Sequence, residues 1–354
     1  MTEDLIPQIC RRVAEAAASK TRLRIRGGGT KDFYGRAPQG EPLEISGYSG
    51  IVAYEPKELV LTVRAGTPLA EVEEALARER QMLPFEPPHF DTARRATIGG
   101  IVASGLSGPR RPYAGSVRDF VLGTRIVNGK GEDLSFGGRV IKNVAGYDVS
   151  RLMVGALGTL GVLLQVSFKV LPRPPAEATL AFELDADAAI QQANRWAGQP
   201  LPLSATVWQD GVLRMRLSGA QTAVDAAKAR MGGEEIADAA AFWAQLREHR
   251  LPFFDPGRPL WRLSLPQTAP AFALPHPQLI EWGGGLRWVG GELDAPQVRA
   301  TVAGLGGHAT LFRGGDKALG VFHPLEPAIL KIHRRLKQSF DPAGILNAGR
   351  MYDF

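Results

Sequence analysis

A run of three consecutive glycines, Gly27 to Gly29, is the first feature of the sequence that could do chemistry. The residues after it are Thr30, Lys31 and Asp32. Backbone without side chains offers successive N–H donors to an anion, and the hydroxyl and ammonium groups add two more, so the loop suits a pyrophosphate. A surface turn would contain the same residue types. The spacing of the glycines fits neither the Walker nor the Rossmann pattern.

A second glycine-rich segment, residues 92–108, places Thr97 directly before Ile98, Gly99 and Gly100. Threonine is a common helix cap, so we expect a helix to begin here with its free N–H groups facing outward. Glycine inside a helix costs about 1 kcal/mol relative to alanine. Either close packing of another backbone or a bound dinucleotide would offset that cost.

A third segment, residues 140–166, has Gly155, Gly158 and Gly161 around Thr159. One glycine triplet is as well explained by a surface turn as by a ligand. The repetition of glycine-rich segments favours the nucleotide ligand.

In the first half of the chain, predicted helices and strands alternate around these segments. Thr67 is expected to cap a helix in which Leu69, Val72 and Leu76 share one face. Asn128 with the glycine after it predicts a hairpin. The predicted elements are a helix over 4–19, strands over 23–26 and 59–63, the helix from 67, strands over 117–127 and 133–136, a helix from Asp148 through Met153, and a strand over 159–170.

Three prolines within residues 172–175 predict a domain boundary, with one domain over 1–172 and a second over 176–354. The sequence of the second half predicts a β-α-β-β-α group, followed by a second group with a similar but less clear pattern. We therefore expect an antiparallel sheet backed by helices, and an α+β fold for the whole chain. The predicted elements are strands over 179–184, 204–209, 212–217, 260–265 and 309–312, and helices ending at Trp196 and over 222–231 and 296–305.

Composition sets limits on the class of protein. The 354 residues are 44% hydrophobic and 22% charged, as in globular proteins of about two domains. The net charge of +6 comes from scattered basic pairs, so we expect no nucleic-acid partner. Cys10 is the only cysteine, which excludes an internal disulfide or a cysteine-ligated iron–sulfur cluster. Without a long apolar run or a secretory signal, we expect a cytoplasmic protein with no transmembrane segment.

Four stretches together resemble the FAD-binding domain of the p-cresol methylhydroxylase and vanillyl-alcohol oxidase family. They are residues 24–35, 60–76, 87–123 and 142–162, and they occur in the order that the family has. The loop RGGGTKDFYG and the short chain resemble the FAD-binding subunits of bacterial 2-hydroxy-acid (glycolate) oxidases. The resemblance implies an FAD cofactor and a second domain that is shorter than in catalytic relatives.

The resemblance also implies which residues contact FAD. Two loops would lie against the pyrophosphate, one stretch near the adenine and ribose, one turn before the strand that passes the isoalloxazine, and one glycine-containing run beside the cofactor. Residues 26–31 hold no histidine, the side chain that attaches flavin covalently in some members, so non-covalent FAD is expected. In chain order the implied residues are Arg26, Gly27, Gly28, Gly29, Thr30, Lys31, Asp32, Pro87, Pro88, Thr97, Ile98, Gly99, Gly100, Ser104, Gly105, Tyr113, Gly115, Ser116, Val117, Gly158, Thr159, Leu160, Gly161 and Val162.

No catalytic residue can be assigned from the sequence. His308 and His323 could face a flavin, but both are explained as ordinary polar residues. Capping explains Asp148, packing explains Tyr147, and Arg350 could bind a carboxylate or pair with a surface acid. The histidine-rich motif of hydroxy-acid-oxidizing relatives is missing. The six histidines are His89, His249, His276, His308, His323 and His333.

The implied function is that of a flavin subunit in a multi-subunit oxidase that converts glycolate to glyoxylate. Its partners would be a second flavin subunit and an iron–sulfur subunit, since this chain cannot build a cluster. Two alternatives remain: a structural assembly subunit that keeps the flavin fold, and a stand-alone flavin oxidase. Association with the inner face of the membrane would occur through the partners.

Overall fold

The computed structural model describes residues 5–138 and 148–354. Within these ranges the helices are α1 (Leu5–Ser19), α2 (Leu69–Arg78), α3 (Ile98–Ser104), α4 (Arg111–Ala114), α5 (Val117–Phe120), α6 (Val149–Leu152), α7 (Ala186–Ala197), α8 (Gln221–Met231), α9 (Ala239–Arg247), α10 (Ala295–Gly304) and α11 (Pro327–Phe340). Short 3-10 helices occupy Trp282–Gly284 and Lys317–Leu319.

The strands within the described ranges are β1 (Leu23–Arg26), β2 (Glu41–Glu44), β3 (Ile51–Glu55), β4 (Val60–Arg64), β5 (Gln81–Met82), β6 (Val121–Val127), β7 (Asp133–Gly137), β8 (Val162–Lys169), β9 (Leu171–Pro172), β10 (Ala176–Glu183), β11 (Leu203–Gln209), β12 (Val212–Gly219), β13 (Glu234–Glu235), β14 (Leu260–Ser264), β15 (Gln278–Glu281), β16 (Leu286–Gly290) and β17 (His308–Arg313). The fold is α+β, as the sequence predicts.

The first half is built on a five-stranded antiparallel sheet in the order β3-β4-β8-β6-β7. Helix α3 packs on β4 and β8, and α2 buries Leu69, Val72 and Leu76 on the face that their spacing predicts. Beside this sheet, β1 and β2 form a parallel pair. The loop that follows β1 contains the glycine triplet. This loop lies beside the start of α3.

The hairpin and the cap predicted in this half are confirmed. Strands β6 and β7 pair antiparallel, and the Asn128 side chain accepts hydrogen bonds from the N–H groups of Lys130 and Glu132 in the turn. The Asp148 carboxylate caps α6 by accepting from the Arg151 N–H at 3.1 Å. Tyr147 and the rest of residues 140–147, which begin the third glycine-rich segment, lie outside the described residues.

Two boundary predictions in the first half are wrong for local reasons. Thr67 does not cap α2, since its hydroxyl accepts from the Gly50 N–H at 2.8 Å and the helix begins after Pro68. The strand predicted over 117–127 begins only at Val121. The Asp119 carboxylate accepts hydrogen bonds from the N–H and hydroxyl of Ser116, which closes one helical turn first.

The strand predicted over 159–170 begins later, at Val162. Thr159 belongs to a turn instead, because its N–H and its hydroxyl both donate to the Ala156 carbonyl. Leu157 and Gly158 adopt left-handed φ values of 53° and 72°. This turn brings residues 157–161 toward the glycine triplet.

The second half forms an eight-stranded antiparallel sheet in the order β13-β10-β12-β11-β15-β16-β14-β17, so the expected antiparallel sheet is confirmed. Helices α7, α8 and α10 cover one face through residues such as Ala189, Val224 and Val298. The opposite face packs against the first half, where Leu106 and Leu157 join a cluster of aromatic side chains. Leu157 of this cluster lines one cavity and Leu106 lines another.

The C-terminal segment returns to the first half. Leu346 bridges to Leu23 of β1 in a parallel arrangement, and Asn347 accepts a hydrogen bond from the Ile25 N–H at 2.8 Å. The Lys337 ammonium donates to the Thr159 carbonyl at 2.8 Å. The last residues thus fix both the strand before the glycine triplet and the turn that faces it.

Candidate functional site

A cavity of about 90 Å³ lies where the three glycine-rich segments meet. Its walls are the loop after β1, the first turns of α3, the turn before β8 and the C-terminal segment. The lining residues are Ile25, Arg26, Gly27, Gly28, Gly29, Thr30, Lys31, Asp32, Ile45, Ala65, Thr97, Gly99, Gly100, Ala103, Ser104, Leu157, Gly158, Gly161, Leu163, Asn347 and Arg350.

The structure brings thirteen of the implied residues into this cavity, from all three segments. They are Arg26, Gly27, Gly28, Gly29, Thr30, Lys31, Asp32, Thr97, Gly99, Gly100, Ser104, Gly158 and Gly161. The others lie outside its walls: Pro87, Pro88, Ile98, Gly105, Tyr113, Gly115, Ser116, Val117, Thr159, Leu160 and Val162. Among these, the side chains of Ile98, Val117 and Val162 are fully buried in the first-half core.

The glycine loop supplies unpaired backbone donors. In the part of the chain that the structure describes, the N–H groups of residues 28–31 have no protein acceptor. Gly29 has a left-handed φ of 69°, which turns the backbone. Adjacent N–H groups without protein acceptors are what an anion such as a phosphate requires.

Gly27 and Gly28 are glycines for a different reason from the expected one. A Cβ on Gly28 would overlap the Arg95 carbonyl, and one on Gly27 would overlap the Thr97 hydroxyl. Neither φ lies in the left-handed region. The absent side chains therefore make room for the second glycine-rich segment, which packs directly on the loop.

The expectation for the start of α3 is half right. Thr97 is the N-cap, and its hydroxyl accepts from the Gly100 N–H at 3.4 Å. However, the Ile98 and Gly99 N–H groups donate to the carbonyls of Thr67 and Ala65, so they do not face outward. A Cβ on Gly99 would lie 2.9 Å from the Ala65 Cβ, which makes close packing the reason for that glycine.

Gly100 differs from its neighbour because its missing side chain faces free space. A Cβ there would meet only the Thr97 hydroxyl, at 3.4 Å. Its φ is in the ordinary helical range, so the backbone does not require glycine. The space in front of Gly100 is the cavity itself.

The charged residues that line the cavity are mainly basic: Arg26, Lys31 and Arg350, with Asp32 as the acidic one. Lys31 is buried, and its ammonium donates to the Thr30 hydroxyl at 3.2 Å and the His89 carbonyl at 3.3 Å. Burial lowers the pKa of Lys31 to about 8, against the raising effect of Glu248 and Asp91. An anion bound beside this ammonium would raise its pKa again and so extend the pH range over which it is charged.

Two polar residues of the C-terminal segment complete the walls, and sequence reasoning missed the role of both. Asn347 accepts from Ile25 and donates to the Leu157 carbonyl at 2.7 Å. The buried Arg350 guanidinium donates to the carbonyls of Lys31 and Tyr34, so it braces the glycine loop, and within residues 5–138 and 148–354 it forms no ion pair with an acid. Their partners lie more than 180 residues away in the chain, so no local pattern could have identified them.

A second, smaller cavity lies between residues 88–109 and the uncovered face of the large sheet. Its walls include Arg262 of β14, Glu281 at the end of β15, Trp282 and His249. The Glu281 carboxyl is buried, accepts from the Trp288 indole N–H at 2.7 Å, and has a pKa raised to about 7 by burial. Sequence reasoning did not identify Glu281, because its position at the end of β15 carries no motif that marks a buried carboxyl.

None of the described histidines lines the cavity at the glycine segments. His249 stacks on Phe254 with ring centroids 4.0 Å apart, and burial holds its pKa well below the ordinary value. His323 accepts from the Ala309 N–H at 3.3 Å, and His308 begins β17. Among the described residues, no group of three or more metal-binding side chains occurs.

Comparison with known proteins decides the family. Residues 6–137 match the family described as FAD binding domain. Over 349 residues, which are 99% of this chain and 98% of the relative, the sequence is 50% identical to the glycolate oxidase subunit GlcE of Escherichia coli (strain K12). The chain belongs to the GlcE family. Its cofactor is FAD, and the prediction of an FAD-dependent oxidoreductase subunit is confirmed.

Other similarities of this GlcE-family chain are partial or structural. It is 34% identical to the glycolate oxidase subunit GlcD of Bacillus subtilis (strain 168) over 172 residues, which cover 48% of this chain and 36% of that relative. Its fold matches p-cresol methylhydroxylase with substrate bound at a TM-score of 0.70 and 15% identity, over 98% of this chain and 87% of the other. At that identity the match shows the fold alone, which is the one that the resemblance implies.

The chemistry of the cavity at the glycine segments suits the pyrophosphate part of a dinucleotide cofactor. Unpaired N–H groups line the wall at residues 28–31, and Lys31 and Arg26 add positive charge. The open space at Gly100 leaves one wall free of side chains. No helix among the described residues is both long and apolar enough to cross a lipid bilayer.

We expect FAD binding to weaken as the pH rises above about 8. Lys31 has a pKa of about 8 in the protein, and a bound pyrophosphate favours its charged form, so the complex holds a proton that the free protein loses. Affinity should be constant below that pH and fall by up to about ten-fold per unit above it. Quenching of FAD fluorescence at a series of pH values measures this.

The control for this pH dependence is Lys31→Arg, which keeps a charge throughout the range and should give a flat profile. Lys31→Met should also give a flat profile, at lower affinity. A wild-type profile that stays level past the pKa of Lys31 would contradict the placement of its ammonium beside the pyrophosphate.

Proposed function

We propose that this chain is the FAD-binding subunit of a multi-subunit 2-hydroxy-acid oxidase that converts glycolate to glyoxylate. The observation that carries the proposal is the 50% identity to the glycolate oxidase subunit GlcE over 99% of the chain, together with a cavity built for the cofactor. The GlcE and GlcD relatives are both named as subunits, which supports a complex.

In this proposal, three parts of the chain hold FAD. The N–H groups of residues 28–31 and the Lys31 ammonium bind the pyrophosphate, while Thr97, Gly100 and Ser104 form the wall opposite. Residues 158–161 close the third side. Implied residues whose side chains lie in the core, such as Val117 and Val162, would reach the cofactor only through their backbone.

FAD, when bound, supplies two-electron oxidation of an alcohol carbon and later release of those electrons to an acceptor. This chain contributes binding and orientation for that chemistry. With Cys10 as its only cysteine it cannot ligate an iron–sulfur cluster, so an iron–sulfur partner is proposed to take the electrons, and a second flavin subunit to complete the complex.

The proposal assigns residues 1–172 to an FAD-binding domain and 176–354 to a shortened oxidase-like domain. The separate cores of the two sheets support this division, and the C-terminal segment from α11 onward packs on the first domain. We place the protein in the cytoplasm, at the inner face of the membrane through its partners; the single cysteine fits a reducing compartment.

FAD is expected to be held without a covalent bond. The side chains that line the cavity include no histidine, and none lies in residues 26–31. Acid precipitation of the purified protein should therefore release all the flavin absorbance into the supernatant. Flavin that remains in the washed pellet would contradict this.

Glycolate oxidation is expected to need the partner chains. In anaerobic stopped-flow mixing, the isolated FAD-loaded chain should bleach its flavin very slowly or not at all with glycolate, and the reconstituted complex should bleach it rapidly. Rapid bleaching by the isolated chain would contradict this expectation and support the alternative that the chain is a stand-alone flavin oxidase. A complex in which this chain's flavin can be omitted without loss of activity would make it an assembly subunit.

A further inference from the structure

The backbone of His89 and Phe90 lies between the cofactor cavity and the second half of the chain. On one side, the His89 carbonyl accepts a hydrogen bond from the buried Lys31 ammonium at 3.3 Å. On the other side, the N–H groups of both residues donate to the Glu248 carboxylate. Glu248 directly follows α9. A residue of the cofactor cavity and a residue of the second half therefore bind the same short piece of backbone.

The Glu248 carboxylate is firmly held in this position. It accepts from the His89 N–H at 3.0 Å, from the Phe90 N–H at 2.8 Å and from the Arg247 guanidinium at 2.8 Å. Only 7% of its side chain is exposed. Hydrogen bonds from successive N–H groups to an ionised acceptor are strong and directional, so they fix the orientation of the peptide groups that donate them.

One peptide group joins the two charged side chains. The His89 carbonyl and the Phe90 N–H belong to the same planar peptide, in which the C=O and the N–H point in opposite directions. When the N–H is held on the Glu248 carboxylate, the C=O is therefore directed at the Lys31 ammonium. Hydrogen bonds in such a chain polarise one another, so the carboxylate also makes the carbonyl a better acceptor.

The backbone at this point would not adopt its conformation unaided. Phe90 has a left-handed φ of 54°, which is uncommon for a bulky residue. Its ring packs on Phe33 and on His249, with ring centroids 5.6 Å and 4.8 Å apart. Neighbours from both halves of the chain thus impose the conformation, and Glu248 acts on the peptide group itself.

The charged groups around Lys31 come from several elements. Glu248 and Asp91 raise its pKa against the larger lowering effect of burial, and the Arg350 guanidinium donates to the Lys31 carbonyl. Glu248 therefore stabilises the charged form of Lys31 as well as orienting its acceptor. The other charged residues at this loop are Arg26, Asp32 and Lys317.

We propose that Glu248 is a positioning residue for FAD, which acts on the Lys31 ammonium through the peptide group between His89 and Phe90. This role rests on the proposed contact between Lys31 and the pyrophosphate. It adds that FAD affinity depends on a residue of the second half that is outside the walls of the cofactor cavity.

The test is a fluorescence titration of FAD with the full chain, wild type and Glu248→Gln, on both sides of the Lys31 pKa of about 8. Glutamine keeps the size and one acceptor oxygen but removes the charge. At about pH 6, where Lys31 is protonated in both proteins, the affinities should agree within about three-fold. Above the pKa, the variant should bind about three- to ten-fold more weakly, because its free form loses the Lys31 proton at lower pH.

A double-mutant cycle shows whether Glu248 acts through Lys31. Adding Glu248→Gln to Lys31→Met should change FAD affinity by less than about two-fold at every pH, since the group on which it acts is gone. Glu248→Asp replaces it in both backgrounds if the glutamine variant does not fold. The shorter carboxylate cannot hold both N–H groups, so it should weaken FAD binding in the wild type and not in Lys31→Met.

The matched control is Glu86→Gln, at another carboxylate between the two halves. Glu86 has 17% of its side chain exposed and accepts from the Arg110 N–H at 2.9 Å and from the Arg216 guanidinium at 3.0 Å. This variant should melt at a lower temperature, and the ratio of its FAD affinity to that of the wild type should be the same at every pH. Thermal melting establishes that each variant is folded.

A constant affinity ratio between folded Glu248→Gln and the wild type at every pH would overturn the role of Glu248, as would an equal loss of affinity in the Lys31→Met background. Either result would leave the contact between Lys31 and the pyrophosphate intact. A wild-type affinity that stays level across the pKa of Lys31 would overturn that contact and the role of Glu248 together.

Discussion

Replacing Gly100 with valine is expected to abolish FAD binding while the protein stays folded. A valine Cβ meets only the Thr97 hydroxyl, at 3.4 Å, so the side chain enters the cavity and contacts little of the protein. The branched side chain would occupy space that the cofactor needs, which should weaken FAD binding by about a hundred-fold or more. Flavin fluorescence titration and thermal melting measure the two effects separately.

The control is Gly304→Val, at the last residue of α10, where a Cβ also has nothing within 4 Å but lies far from the cavity. It should bind FAD as the wild type does. Gly28→Ala makes the opposite comparison: its methyl group would overlap the Arg95 carbonyl, so the fold itself should weaken. Full FAD occupancy in folded Gly100→Val would show that the cofactor does not approach α3.

Replacing Lys337 with methionine is expected to destabilise the protein by about 3–5 kcal/mol. The Lys337 ammonium donates to Asp341 at 2.6 Å and to the carbonyls of Thr159 and Leu346, and both charged residues are buried. Without it, the Asp341 carboxylate keeps, among the described residues, the N–H groups of Ile345 and Leu346 as its donors. Urea denaturation measures the loss.

The same change should weaken FAD binding, because Lys337 fixes the turn at Thr159 and the C-terminal segment at Leu346, next to Asn347. Lys331→Met is the control. Lys331 lies on the exposed side of the same helix, so its loss should change the stability by less than about 0.5 kcal/mol. Equal stabilities of the two variants would show that the buried ion pair contributes nothing beyond a surface lysine.

The sequence by itself determined the features that depend on neighbours within a few residues. Periodicity identified α2 and its buried face, Thr97 and Asp148 were recognised as caps, and Asn128 marked the hairpin. These signals work because helix capping and turn formation involve backbone groups three or four positions apart. The glycine-rich loops and their resemblance to a flavin family also gave the cofactor.

Only the tertiary structure decided why particular glycines are needed and which side chains meet. Gly28 is glycine because the Arg95 carbonyl packs on it, and Gly100 because the cavity lies in front of it. The sequence alone does not distinguish these two reasons for a glycine. Asn347 contacts Ile25 across 322 positions of the chain. Arg262 of β14 and Trp282 of the 3-10 helix after β15 share a cavity because the pairing of the strands in one sheet brings them together. Contacts between distant segments follow from how the sheets pack, and no local spacing in a single sequence encodes that packing.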